Sequence, residues 1–326
     1  MIDVVILGEA LLRLTPPGRQ RFEQAQQFDI FVAGSEANTA IGLARFGHSV
    51  AWLSRLPDHA LGRRVTSALA ACGVDVSYVV WTGSDERLAI YYMEEGAAPR
   101  ASQIIYDRRD SSLSRMKPEM LPTGLFRSGQ ARHLHLTGIT VAVSSNAAAT
   151  ALAAATEARQ AGWTFSFDVN YRAKLWDTAA ARAGCAPFVD LCDLLISPLR
   201  DARRLFDVGE DSPAEEVLTW LATRYPDKTI VLTLGSEGAM GIGRNGIVVR
   251  QKGIAVEAIS RIGAGDAFAA GLLHGYLQDV DDLAMTLRWA TAAAAVKFTI
   301  PGDFPLFNHR EVAQLVQGDA STDVVR

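Results

Sequence analysis

The chain alternates short apolar runs with longer stretches of helical periodicity. Val4 to Leu7 make a first apolar run, closed by Gly8. From about residue 130 onward the alternation repeats. HLHLTG (133–138), WTFSFDVN (163–170), DLLIS (193–197) and TIVLTLG (229–235) read as strands. Residues 144–162, ended by Gly162, Thr178 to Asp190, and Pro213 to about Arg224 read as helices. Apolar strands separated by helical segments predict βαβ units, and therefore an α/β fold with a doubly wound, mostly parallel sheet covered by helices on both faces. Ligands of such sheets lie outside the carboxyl ends of the strands. That rule gathers Asp168, Asn170, Arg172, Gly235 and the loop around residue 263 on one edge.

The N-terminal third has a different texture. LLRLTPPG (11–18), FDIFVAG (28–34), RLAIYYME (87–94) and SQIIYDRR (102–109) read as strands with polar and aromatic alternation. They are interrupted by a helical segment, EANTAIGLARFG (36–47), and a further α/β stretch. Four such strands predict a small β-sheet standing apart from the main one, a lid built from about residues 10–34 and 86–112. No repeat, low-complexity tract or Ser/Gly linker divides the chain, so a single domain over 1–326 is expected.

Composition narrows the function classes. Hydrophobic residues make up 49% and charged residues 21%, the profile of a globular protein rather than a disordered one. Lys+Arg 32 against Asp+Glu 36 gives a net charge of -4, without the basic excess of a nucleic-acid binder. Cys72, Cys185 and Cys192 show no C-x-x-C spacing, which argues against a disulfide framework or a zinc site and fits a reducing compartment. MIDVVILGEALLRL lacks a basic lead, and the apolar stretch Ala147 to Ala155 is far short of the ~20 residues that cross a bilayer. A cytoplasmic protein without membrane association is expected.

RIGAGDAFAAG (261–271) carries the strongest chemical signal. It is not a phosphate loop of the G-K-[ST] type, nor a dinucleotide fingerprint, because Phe268 stands where the third glycine belongs. Gly263 and Gly265 before an apolar helix offer backbone N–H groups free to turn inward, and such a nest at a helix N-terminus attracts anions. Asp266 then has two readings. It caps the helix AFAAGLLHGYL, or it is a base that takes a hydroxyl proton while the nest stabilises charge on a transferring group.

FVAGSEANTAIGLARFG (31–47) and RIGAGDAFAAGLL (261–273) together resemble the two signatures of the ribokinase (PfkB) family of carbohydrate kinases, and the likeness covers nearly the whole chain. The resemblance implies transfer of the ATP γ-phosphoryl group to a sugar hydroxyl, with Mg²⁺ as cofactor. Asp266 is then the base, and Gly263, Ala264 and Gly265 form the anion hole. TLGSEG (233–238) matches the family's nucleotide loop, although GSEG also suits a plain hairpin turn. By the resemblance Asn170, Thr233, Gly235 and Gly238, with Gly263 and Gly265, contact ATP. Within the family YYMEEGAAPRAS, IIYDRRDSS, FDVNYRAKLW and TIPGDF are most like the 2-keto-3-deoxygluconate kinases. Carried over by motif, Gly34, Asn38, Tyr91, Tyr106, Arg108, Arg172 and Asp266 contact a sugar acid. A carboxylate-bearing substrate suits guanidinium forks, which a neutral hexose does not need. Arg108 and Arg109 on a solvated strand edge, or Arg172 in a structural ion pair, are the bland alternatives.

Two positions depart from the family pattern. Ser260 stands where the family commonly has an aspartate associated with a monovalent cation. The N-x-x-E motif associated with Mg²⁺ falls on Pro198-Leu199-Arg200-Asp201, leaving only Asp201 as a metal candidate or a helix-start acid. His133 and His135 alternate on a strand without a third ligand and read as satisfied histidines; Cys185 and Cys192 read as core. A neutral-sugar kinase such as a fructokinase, and a non-catalytic sugar-binding regulator on the same fold, are the competing functions. Exposed lid strands are edges that pair with a second copy, so a homo-oligomer is expected.

Overall fold

The computed structural model describes residues 1–318. Its strands are β1 (Ile2–Leu7), β2 (Leu11–Thr15), β3 (Asp29–Ala33), β4 (Val50–Pro57), β5 (Val79–Thr82), β6 (Ile90–Glu94) and β7 (Gln103–Asp107), then β8 (Ala131–Thr137), β9 (Thr164–Asp168), β10 (Leu194–Pro198), β11 (Thr229–Thr233), β12 (Gly238–Ile242) and β13 (Val248–Lys252). The helices are α1 (Ser35–Arg45), α2 (Ala60–Ala71), α3 (Gly138–Val143), α4 (Ser145–Gln160) and α5 (Thr178–Leu191), then α6 (Leu199–Leu205), α7 (Ala214–Arg224), α8 (Ala264–Gln278), α9 (Leu283–Phe298) and α10 (His309–Val316). The expected domain runs to residue 326, and its last eight positions, 319–326, lie outside the described residues.

Nine strands form one sheet in the order β13-β12-β11-β10-β9-β8-β1-β4-β5. From β11 through to β5 all neighbours are parallel. The apolar runs follow from burial on both faces, where every position along a strand meets helices. In β1, Val5 and Leu7 join the core under α4, α5 and α7, while Val4 and Ile6 point to the core under α1, α2, α8 and α9. β12 and β13 extend the sheet antiparallel. The sequence pattern did not resolve this pair, because two short strands joined at glycines look like a loop. β4 and α2 account for the further α/β stretch in the N-terminal third.

Four strands form a second sheet in the order β3-β2-β6-β7. β2 pairs antiparallel with β3 and parallel with β6, and β6 pairs antiparallel with β7. These are the four strands read from the N-terminal third. Local chemistry sets the helix ends: the Ser144 side chain accepts from the Ala147 amide and starts the Ala-rich α4. α8 and α9 approach closely, and a Cβ at Gly271 would lie 2.5 Å from the Trp289 carbonyl oxygen. Cys185 lies in α5 and Cys192 just past its end, both buried and free. His133 and His135 are fully buried and bond Thr164 and Ser166 across to β9. No helix among the described residues is long and apolar enough to cross a membrane.

Candidate active site

Asp266 stands in the first turn of α8. The helix cap is Gly263, in the left-handed region at φ 74°, and the Asp266 side chain makes no capping bond. The capping alternative therefore falls. The carboxylate turns across to α1 instead, where Ser35 Oγ donates to Oδ1 at 2.6 Å and Asn38 Nδ2 donates to Oδ2 at 2.7 Å. Asn170, just past β9, donates from Nδ2 to Ser35 Oγ at 2.9 Å and so orients that hydroxyl. Burial raises the Asp266 pKa, while the Ser35 and Asn38 bonds and the Arg172 charge oppose the rise.

A cavity of about 520 Å³ opens above this carboxylate, between the second sheet and the carboxyl ends of β9, β10 and β11. Gly34, Asn38, Tyr91, Tyr106, Arg108 and Arg172 all line it, and so do Asn170, Thr233, Gly263 and Gly265. Asp168 ends β9 in its wall, and burial, then the Asp266 charge, push the carboxyl up to about 7. Gly263 is required by more than its φ: a Cβ there would meet the Asp303 carbonyl oxygen at 2.2 Å.

Several expected residues arrive with partners already attached. Arg108 donates from Nε (3.0 Å) and Nη2 (2.5 Å) to Glu9 Oε2, and Ser111 Oγ donates to Glu9 Oε1. The guanidinium expected at the sugar acid is thus shared with a buried carboxylate of the chain. Arg172 is exposed and has no ion-pair partner among the described residues, so its structural-pair alternative does not hold. The Tyr91 hydroxyl donates to Asp303 Oδ1 at 3.0 Å, and Arg13 Nε donates to Asp303 Oδ2 at 2.8 Å. Arg13 and Asp303 are both almost completely buried, and the Arg13 guanidinium also lies 4.1 Å over the Phe31 ring.

The sequence profile of the pfkB family carbohydrate kinases matches residues 1–304. The chain belongs to the PfkB family of carbohydrate kinases. It is 35% identical over 322 residues to the 2-dehydro-3-deoxygalactonokinase of Haloferax volcanii, covering 98% of this chain and 99% of that one. It is 34% identical over 309 residues to the 2-dehydro-3-deoxygluconokinase of Thermoproteus tenax, covering 93% and 90%. The crystal structure of the 2-dehydro-3-deoxygluconokinase of Thermotoga maritima superposes with a TM-score of 0.89 at 32% identity, covering 98% of this chain and 100% of that one. The chain is therefore a sugar kinase, a phosphotransferase with an alcohol acceptor, on a ribokinase-like fold.

In this kinase a second cavity of about 540 Å³ shares Pro198 and Thr233 with the first and is lined by Gly235, Arg200, Arg203 and Arg250. Gly235 begins a single 3-10 turn that leads into the antiparallel β12, so TLGSEG is at once a hairpin turn and a cavity wall. Gly238 opens β12 and lines neither cavity. Asp201 also lines neither: it is buried in the first turn of α6, pairs with Arg200 at 3.2 Å, and has its pKa raised by burial. No group of three or more His, Cys, Asp or Glu side chains suited to a metal ion occurs among the described residues.

Sequence reasoning passed over Ser35, Glu9, Arg13, Asp303 and Arg261, which lines the cavity beside Gly263 and Gly265. Ser35 lies inside the first signature and Asp303 inside TIPGDF. Nothing local marked them, because their partners are brought in by the fold.

Proposed function

We propose that this kinase transfers the γ-phosphoryl group of ATP to a hydroxyl of a sugar acid, with 2-keto-3-deoxygluconate and its galacto epimer as first candidates. The observation that carries this is the Asp266 carboxylate, held by Ser35 and Asn38 in the wall of a cavity that Gly263 and Gly265 also line. Asp266 takes the proton of the attacking hydroxyl, and the amides of Gly263, Ala264 and Gly265 with the α8 dipole stabilise charge on the transferring group. The nucleotide enters from the second cavity past Thr233 and Gly235, and its phosphates point to the shared wall. Asn170 acts here through Ser35 as well as by facing the phosphates.

The acid preference is supported by relatives named for 2-dehydro-3-deoxy acids and by two guanidinium groups on the sugar side of the cavity. Arg172, without a partner, is the stronger carboxylate contact. Arg108 serves by dividing its hydrogen bonds between Glu9 and the substrate. The second sheet, β2, β3, β6 and β7, acts as a lid that excludes water from the transferring group. Its edge strands β3 and β7 expose Ile30 and Ile105, which supports pairing with a second copy. Three free cysteines support a cytoplasmic site of action.

Mg²⁺ binds through phosphate oxygens, several waters and one or two carboxylates. Asp168 fits that use, since its Oδ1 accepts the Asn170 amide and no protein donor among the described residues reaches its Oδ2. Asp201 lies close enough to raise the Asp168 pKa further and would act from behind it. The ion would neutralise charge on the nucleotide phosphates.

An ADP-release assay over sugar acids and neutral hexoses tests the assignment. In Arg172→Ala the kcat/KM ratio of acid to neutral sugar should fall by roughly tenfold or more, because a charge-assisted hydrogen bond is worth about 1.5–3 kcal/mol. Arg108→Ala should lower it less, as Glu9 already holds part of that guanidinium. An unchanged ratio in both variants removes the sugar-acid assignment.

A further inference from the structure

The anion-binding turn rests on a buried positive charge that the phosphoryl-transfer scheme does not use. Lys297, one residue before the end of α9, has 0% of its surface exposed. Its ammonium donates to the carbonyl oxygens of Ile300 at 2.9 Å and Gly302 at 3.0 Å, and forms no salt bridge among the described residues. Burying an ammonium on neutral carbonyls is costly, and an apolar side chain of the same length would fill the space with less penalty. Its charge is felt nearby: burial lowers its pKa to about 8, while Asp303 and Asp266 pull the other way.

What surrounds it is the backbone of the candidate anion hole. The amides of Ile259 and Ser260 donate to the Phe298 carbonyl at 2.9 and 3.1 Å, which ties the approach to the turn onto the end of α9. A Cβ on Gly263 would lie 3.3 Å from Lys297 Cε and 2.2 Å from the Asp303 carbonyl oxygen. The loop 299–303 brings the Asp303 carbonyl against Gly263, and the ammonium bridges the Ile300 and Gly302 carbonyls of the same loop. Both carbonyls point at one ammonium, and without a cation their lone pairs would lose that shared partner.

We propose that Lys297 is a positioning residue of the phosphoryl-transfer site: its ammonium serves as a chain-borne monovalent cation that gathers the 299–303 carbonyls behind Gly263 and holds the 263–265 amides in register with Asp266. The proposal rests on the assignment of those amides to the transferring phosphoryl group. Lys297→Ala should lower kcat on the order of 10²-fold, the scale of losing one oxyanion donor, with KM for the sugar little changed. Ammonium chloride should restore much of that loss by refilling the vacated site, whereas tetramethylammonium chloride at equal ionic strength should not. Lys297→Met, which fills the space without charge, should lose the same activity and resist rescue.

Binding of tripolyphosphate, followed by calorimetry, reads the turn without turnover. It should weaken in Lys297→Ala and recover with ammonium. If wild-type protein phosphorylates neutral sugars but no sugar acid, yet tripolyphosphate binding follows Lys297 and ammonium in this way, the sugar-acid assignment fails and the positioning role stands. If the wild type turns over sugar while Lys297→Met keeps kcat and tripolyphosphate affinity, the positioning role is overturned and the assignment stands. Loss of activity in both variants with a lowered melting temperature and no ammonium rescue also overturns it, since Lys297 would then be a packing residue only.

Discussion

Replacing Asp266 with asparagine separates chemistry from structure at this site. The carboxylate accepts one hydrogen bond from Ser35 and one from Asn38, at 2.6 and 2.7 Å. Asparagine keeps the shape and one acceptor, and its amide nitrogen must face one of the two former donors. Ser35 can reverse and accept, so about one hydrogen bond is lost, worth roughly 0.5–1.5 kcal/mol between neutral groups and 1.5–3 where the partner was charged. Against this, the buried charge disappears, and burial already disfavours that charge, as the raised pKa shows. The two effects oppose, so stability should change by no more than about 2 kcal/mol in either direction. Loss of the general base costs about 10²–10⁴ in rate, or roughly 3–5.5 kcal/mol of transition-state stabilisation. Catalysis should therefore collapse in a protein that melts within a few degrees of wild type. The assay is steady-state ADP release at saturating sugar acid and ATP, with ATP affinity and thermal unfolding measured on the same preparation. Near-normal kcat in Asp266→Asn would refute the assignment, and a collapse of ATP binding along with kcat would show that the carboxylate acts in binding rather than in proton transfer.

Three further outcomes follow from the same geometry. The base must be ionised, so kcat should fall on the acid side of the Asp266 pKa; because the Ser35 and Asn38 bonds lower that pKa, Ser35→Ala and Asn38→Ala should move the acid limb of the pH–rate profile to higher pH, and an unmoved limb in both would show that another group titrates. Arg13→Ala leaves Asp303 buried without its charge partner and should destabilise the protein by about 3–5 kcal/mol in denaturant unfolding, whereas an exposed-pair value below about 1 kcal/mol would contradict the burial of the pair. Gly263→Ala should abolish activity and cost more than the ~1–2 kcal/mol of a left-handed residue, since its methyl also meets the Asp303 carbonyl; retention of activity would show that the turn can be rebuilt.

The strands and helices of the main sheet were legible because burial on both faces writes itself into each segment locally. Val4 to Leu7 and Ile230 to Leu232 are apolar throughout, since these positions on β1 and β11 are buried on both faces of the sheet. The four strands of the small sheet were legible through alternation, and the turn before α8 through its two glycines. The β12–β13 pair escaped because short antiparallel strands at glycine-rich turns have no distinctive period. The chemical roles were of another kind. Whether Asp266 caps a helix or serves as a base depends on Ser35, 231 positions away, and on Asn38, 228 positions away. That Arg108 reaches the cavity partly neutralised depends on Glu9, 99 positions away, and the Arg13–Asp303 pair spans 290. Local sequence determines the period, the turn and the kind of side chain on offer, because these rest on backbone sterics and on burial of neighbouring residues. Which charges meet, and so what each carboxylate and guanidinium is free to do, is decided only when the fold brings distant segments to one strand edge and removes the water between them.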